Sequence, residues 1–125
     1  MGNSGGSSPL ILVDTDTLID SLREGRRLGD AISVLTALEY LRGIPEEERE
    51  EAKKLLEESF DIIGLDNSVI LKYCELYEKL RSKGEIVSDV DLIIGATAIA
   101  KKMKLLTRNY KHFERLEKYG LVLEK

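Results

Sequence analysis

The chain is predicted to be an α/β protein, three layers deep (α/β/α), with a mostly parallel sheet packed between helices. Two observations predict this. Short apolar runs, each bounded by turn-forming or capping residues, alternate along the chain with longer stretches whose apolar residues recur at helical spacing. Strands that alternate with helices in this way join into a parallel sheet covered on its two faces. A length of 125 residues adds that one sizeable core suffices, so a single domain over 9–125 is expected.

The elements follow in order. Leu10 to Val13 reads as the first strand, and it ends in two carboxylates one residue apart, Asp14 and Asp16. Asp16 or Thr15 can cap the next helix, whose stripe is Leu18, Ile19 and Leu22 and whose stop is Gly25. Ala31 to Leu35 is a second strand, followed by a helix from Thr36 to Arg42 that ends at Gly43. Pro45 at a first helical position, ahead of Glu46, Glu47 and Glu48, opens a helix running to about Ser59 with Ala52, Leu55 and Leu56 as its apolar face. Phe60 to Leu65 is a third strand. Asp66 caps a helix carrying Val69, Tyr73, Leu76, Tyr77 and Leu80, which ends near Gly84. Ser88 opens another, with Leu92, Ala96, Ile99 and Met103 along one side. Leu105 to Thr107 is a fourth strand, Tyr110 to Tyr119 a short helix, and Leu121 to Leu123 the last strand.

Composition narrows the class. With 42% hydrophobic and 34% charged residues the chain is an ordinary globular one, and no apolar stretch approaches the roughly 20 residues needed to cross a bilayer. No membrane association is expected. The first eight residues, with three glycines and three serines, read as a flexible linker or expression remnant. One cysteine, Cys74, excludes an internal disulfide and a cysteine-based zinc cluster, and fits a reducing cytoplasm. Its neighbours Tyr73, Leu76 and Tyr77 suggest a packed core thiol. One histidine, His112, with no nucleophile-elbow sequence, gives no support to a serine hydrolase.

The net charge of −4 hides a local contrast. Glu46 to Glu51 holds five acids, whereas Lys101 to Arg115 carries Lys101, Lys102, Lys104, Arg108, Lys111 and Arg115 against one acid, Glu114. Four acids besides that helix draw attention. Asp14 follows the first strand, where open α/β sheets bind ligands. Glu39 is flanked by apolar residues. Asp89 and Asp91 sit in the first turn of the Ser88 helix, where Ser88 and Asp91 also match a capping box. Carboxylates gathered at one edge of a parallel sheet repel one another unless a cation neutralises them. Oxygen donors without cysteine or histidine suit Mg²⁺ or Mn²⁺. An acidic pocket that binds a polyanion needs positive groups beside it; Arg108, Lys111, His112 and Arg115 follow the fourth strand and are candidates to contact phosphates.

Taken together, Ile11-Leu-Val-Asp14-Thr-Asp16, Glu39 ahead of Gly43, Ser88-Asp-Val-Asp91-Leu-Ile-Ile-Gly-Ala-Thr-Ala98, and Leu105-Leu-Thr107-Arg-Asn109-Tyr-Lys-His-Phe113 resemble the PIN domain, and most nearly its VapC-type toxin ribonucleases. The resemblance spans Leu10 to Lys125, in the family's order. It implies a metal-dependent ribonuclease acting on single-stranded or looped RNA. Asp14, Glu39 and Asp91 match the family's metal ligands, and Asp89 a further acid at the helix start. Thr107 and Asn109 match the element that completes the pocket, with Asp16 as a capping or supporting group. Asn109 departs from the aspartate of many members and adds no charge. A small antitoxin protein and a homodimer are implied partners.

Two rivals compete. Asp14-Thr-Asp16-Thr also fits the start of haloacid-dehalogenase-like phosphatases, in which the first aspartate is a nucleophile and the second a general acid. Against this, the chain is short for that fold plus a cap, and Thr107 to Phe113 goes unexplained. The other rival is a PIN-like module that binds a protein with weak or no catalysis.

Overall fold

The computed structural model describes Leu10–Lys125; the eight-residue linker expected at the start lies outside the described residues. Five short strands, β1 (Ile11–Val13), β2 (Ala31–Ser33), β3 (Asp61–Ile63), β4 (Lys104–Leu106) and β5 (Val122–Leu123), form one sheet in the order β3-β2-β1-β4-β5. All four pairings are parallel, with Leu12 beside Ala31 on one side and Leu105 on the other. The helices are α1 (Thr15–Arg23), α2 (Val34–Arg42), α3 (Glu46–Ser59), α4 (Asn67–Ser82), α5 (Asp89–Ala100) and α6 (Tyr110–Phe113), with a 3-10 helix at Glu114–Tyr119.

The central strand shows why the fold has three layers. Successive strand residues point to opposite faces. Leu12 packs with Leu76, Leu80, Leu92, Leu105, Phe113 and Leu116; Val13 packs with Leu18, Ile32, Leu56 and Phe60. One face of the sheet is thus covered by α4, α5 and the C-terminal turns, the other by α1 and α3. Leu12 and Val13 are fully buried, and each contributes about 2 kcal/mol through removal from water. The start of β1 is pinned by Asp30, whose carboxylate accepts from the Ile11 N–H at 2.8 Å while its own N–H donates to the Ile11 carbonyl at 2.8 Å. Gly29, at φ +81°, makes that approach possible: a Cβ there would sit 2.3 Å from Val13 Cγ2.

Elements agree with the pattern in order and type, and differ at several ends and faces. The cap of α1 is neither Asp16 nor Thr15 but Asp14, extended at φ −78° and ψ 168°, with its side chain accepting from the Thr17 N–H. The helix begins one residue earlier than the apolar stripe suggests. β2 stops at Ser33, because the Ser33 hydroxyl caps α2 by accepting from the Leu35 N–H. Pro45 is the cap residue of α3 and its first helical residue is Glu46. On α3 only Leu56 is buried, and Leu55 is 54% exposed. The C-terminal helix is α-helical over four residues and 3-10 beyond.

Cys74 is exposed, not a core thiol. The helix α4 buries Val69, Leu76 and Leu80 toward α5, while Leu71, Cys74 and Tyr77 lie on its outer side. Among the described residues no helix is long and apolar enough to cross a membrane.

Candidate active site

In a parallel sheet every strand ends at the same edge, so Asp14 after β1 and Thr107 after β4 meet there. Asp14 is 4% exposed, and its carboxylate is shared between two neighbours. Oδ1 accepts from the Thr17 N–H at 3.1 Å and Oδ2 from the Thr107 hydroxyl at 2.8 Å. The Thr107 hydroxyl in turn accepts from the Asn109 N–H at 2.9 Å, and Thr17 Oγ1 accepts from the Arg108 N–H at 3.0 Å. The start of α1 and the turn at 107–109 therefore clasp one carboxylate from two sides. Burial pushes the Asp14 carboxyl up; the hydrogen bonds from Thr17 and Thr107 oppose this, and the charge on Asp16 adds to it.

Asp16 joins the same network at its rim, accepting from the Asn109 amide at 3.2 Å. Asn109, the neutral departure from the family pattern, thus ties the turn to α1 without adding charge. Thr15 Oγ1 stands 3.0 Å from Thr36 Oγ1, linking α1 to α2 beneath the site. Thr17 and Thr36 were not singled out by sequence; a threonine three residues beyond a strand-end acid is the signal that would have marked Thr17 as its backbone donor.

The other acids occupy neighbouring ground. α5 leads into β4, so its N-terminus returns to the edge where Thr107 lies. There Asp91 is 3.3 Å from His112 Nδ1, in a recess of about 200 Å³ with Ser88, Val87 and Arg115. Ser88 caps α5 by accepting from the Asp91 N–H at 3.2 Å, so the serine half of the expected capping box is present while the Asp91 side chain faces His112. Asp89 points elsewhere, accepting from the Tyr73 hydroxyl at 2.7 Å. Glu39 is held inward while Leu38 is 58% exposed, and it lines a separate recess with Arg23 and Tyr40. Its cationic neighbour is Arg42 at 3.8 Å.

The structure therefore unites Asp14, Asp16, Thr107 and Asn109, and pairs Asp91 with His112, but leaves Glu39 with Arg42. Among the described residues no three acid, histidine or cysteine side chains are already grouped as a metal cage. The pairs that hold Glu39 and Asp91 are weak, however. Arg42 is 77% and His112 56% exposed, and such surface pairs exchange at little cost. The donor set is all oxygen, and Asp14 is a buried carboxylate with one hydrogen bond to each oxygen. That chemistry fits a hard divalent cation.

The basic residues after β4 are unequal. Arg108 forks onto both oxygens of Glu24 at 3.1 Å and reaches Asp20 at 3.7 Å. This holds the Glu24 carboxyl below its usual range. Arg115 donates to the Ile86 carbonyl at 3.1 Å, and Lys111 is exposed.

Fold and site together define an α/β protein with an acid-bearing pocket at the carboxyl edge of a parallel sheet. The chain belongs to the PIN domain family, whose model matches residues 11–119. It is 44% identical over 115 residues to Ribonuclease VapC1 of Methanocaldococcus jannaschii, covering 89% of this chain and 84% of that protein. Among solved structures it is similar to a toxin-antitoxin complex from Klebsiella pneumoniae, at 29% identity and a TM-score of 0.65 over 82% of this chain and 89% of the other. VapBC from Salmonella typhimurium, solved bound to DNA, shares the fold at 21% identity and a TM-score of 0.77, over 94% and 98% of the two chains. Membership of this family removes the phosphatase alternative.

Proposed function

We propose that the protein is a metal-dependent endoribonuclease, the toxin of a toxin-antitoxin pair, which hydrolyses phosphodiester bonds in RNA. One observation carries this: a buried carboxylate at the sheet edge, Asp14, clasped by Thr17 and Thr107, in a chain 44% identical to a VapC ribonuclease. Asp14, Glu39 and Asp91 are the residues that would hold Mg²⁺ or Mn²⁺. When bound, the cation supplies a Lewis-acidic charge that activates water and offsets charge on the scissile phosphate.

The chain's own groups do the rest. Thr17 and Thr107 hold the Asp14 carboxylate in place, one hydrogen bond to each oxygen, which leaves a second lone pair on each oxygen. Asn109 and Asp16 hold the turn that carries Thr107. Asp89, tied to Tyr73, anchors the first turn of α5 and with it the backbone of Asp91. Lys111 and Arg115 supply positive charge beside the acids, with the His112 imidazole next to Asp91 as a further phosphate contact. Arg108 contributes less because Glu24 and Asp20 already compensate it.

The likeness to a toxin-antitoxin complex supports a small antitoxin as partner, and a homodimer is the assembly we propose. RNA as substrate and a lone thiol fit a cytoplasmic setting.

The test is cleavage of a single-stranded and a stem-loop RNA with Mg²⁺, with Mn²⁺ and with EDTA. Cleavage that needs the cation and is lost in Glu39→Gln and Asp91→Asn supports the proposal. Equal cleavage in EDTA removes the metal, and no cleavage under any condition, with antitoxin binding intact, favours the binding-module alternative.

A further inference from the structure

Much of the positive charge between Lys101 and Arg115 is engaged within the molecule, so a bound polyanion needs cations from elsewhere. Three ammonium groups gather where the sequence does not advertise them. Lys79 in the last turn of α4, Lys83 at its C-cap and Lys118 in the 3-10 helix stand 5.4, 5.7 and 5.5 Å from the centre of the Tyr119 ring. An exposed cation gains only about 0.5–1 kcal/mol from an aromatic face, which does little against the mutual repulsion of three. Nearby carboxylates compensate them incompletely. Glu75 serves Lys79 at 2.9 Å but also Lys72 at 3.1 Å. Glu85 is 3.9 Å from Lys118, and its Oε1 makes no hydrogen bond. Lys83 forms no ion pair among the described residues.

This cluster is continuous with the acid site. Beside it a groove of about 360 Å³ runs along Arg81, Glu85, Ile86 and Val87. The recess that holds Asp91 and His112 is lined by the same Ile86 and Val87. Between the two stands Ile86, 86% exposed, an apolar side chain offered to solvent amid bases. Single-stranded nucleic acid is held by positive charge along its backbone together with apolar surface for its bases. The lysine cluster at one end and the exposed Ile86 side chain beside the groove supply one of each.

We propose that single-stranded RNA bound at Asp91 continues over Ile86 to the Lys79, Lys83 and Lys118 cluster, which holds its backbone phosphates. This rests on the ribonuclease reading and adds to it a track that sets the length and strandedness of substrate.

The test is fluorescence anisotropy of a labelled single-stranded RNA with the full chain in EDTA, across a salt series. The variants are Lys79→Gln/Lys83→Gln/Lys118→Gln, Ile86→Ser, and, as a charge control on α3, Lys53→Gln/Lys54→Gln. Loss of three phosphate contacts lowers the slope of log affinity against log salt by about 2, at about 0.7 per contact for single strands. The expected result is that drop, with affinity reduced roughly tenfold or more, a smaller loss in Ile86→Ser, and an unchanged slope in the control. Wild-type slope and affinity in the triple variant, or an equal change per lysine in the control, would overturn the track. So would a changed oligomeric state with unchanged RNA affinity, which makes this face a protein contact. If the wild type cleaves RNA with Mg²⁺ or Mn²⁺ and the triple variant binds as well, only the track fails; if the wild type neither binds nor cleaves, the ribonuclease reading fails with it.

Discussion

The Thr107 hydroxyl donates to Asp14 Oδ2 at 2.8 Å, joining the ends of two adjacent parallel strands across 93 positions of sequence. A buried carboxylate that loses such a donor is left short of a partner. Hydrogen bonds to charged groups contribute about 1.5–3 kcal/mol. Thr107→Val, which keeps the shape and removes the hydroxyl, is expected to lower stability by about 2 kcal/mol in urea unfolding. Thr107→Ser is expected to restore most of it. Equal stability of the valine variant would show that the contact is passive.

Gly29 and Gly25 separate two costs of a side chain in the left-handed region. Both have positive φ, +81° and +72°, but a Cβ at Gly29 runs into Val13, whereas Gly25 has open space around it. Gly25→Ala should cost about 1 kcal/mol, and Gly29→Ala about 2–4 kcal/mol because overpacking of β1 adds to the strain. Thermal or urea unfolding of the two variants checks the order; similar losses would contradict it.

Arg108 is the basic residue that the fold has already spoken for. Arg108→Ala is expected to change the salt dependence of RNA binding less than Lys111→Ala, since Glu24 and Asp20 compensate the arginine. A larger effect at Arg108 would mean that it leaves Glu24 when RNA arrives.

The start of α4 is tied to the end of α5 by the Asp66–Lys101 ion pair, and with Ser68 and the Val69 N–H this holds the Asp66 carboxyl well below the usual carboxylate range. A carboxyl whose folded pKa is depressed adds stability that is present above its unfolded pKa and is lost as pH falls. Asp66→Asn keeps the cap and removes the charge. It should melt below the wild type at pH 7, and the gap should close as pH is lowered below about 4 and as salt is raised. A gap independent of pH would show that the charge on Asp66 is not its source.

The order of elements was legible because parallel α/β folds alternate short apolar runs with helical periodicity, and the fold keeps every element in place. Which acid caps α1 was not. Asp14 and Asp16 are equally good caps by type, and only the extended backbone at Asp14 decides between them. Exposure on α4 was misjudged at Cys74 because that helix is apolar over a wider arc than it buries. The pairing of Arg108 with Glu24, 84 positions away, and the meeting of Lys79, Lys83 and Lys118 round Tyr119 depend on tertiary packing and leave no mark in local sequence.

If Asp14 is the acid around which catalysis is organised, its charge must matter more to turnover than to folding. The decisive measurement is single-turnover cleavage of single-stranded RNA in saturating Mg²⁺, by wild type and by Asp14→Asn. The amide in that variant can still cap α1 and still meet Thr107, so the circular dichroism spectrum and RNA affinity in EDTA should be unchanged. The expected rate is at least about a hundredfold lower, since the loss falls on metal-assisted chemistry and not on folding. A folded Asp14→Asn variant cleaving at the wild-type rate would contradict this assignment.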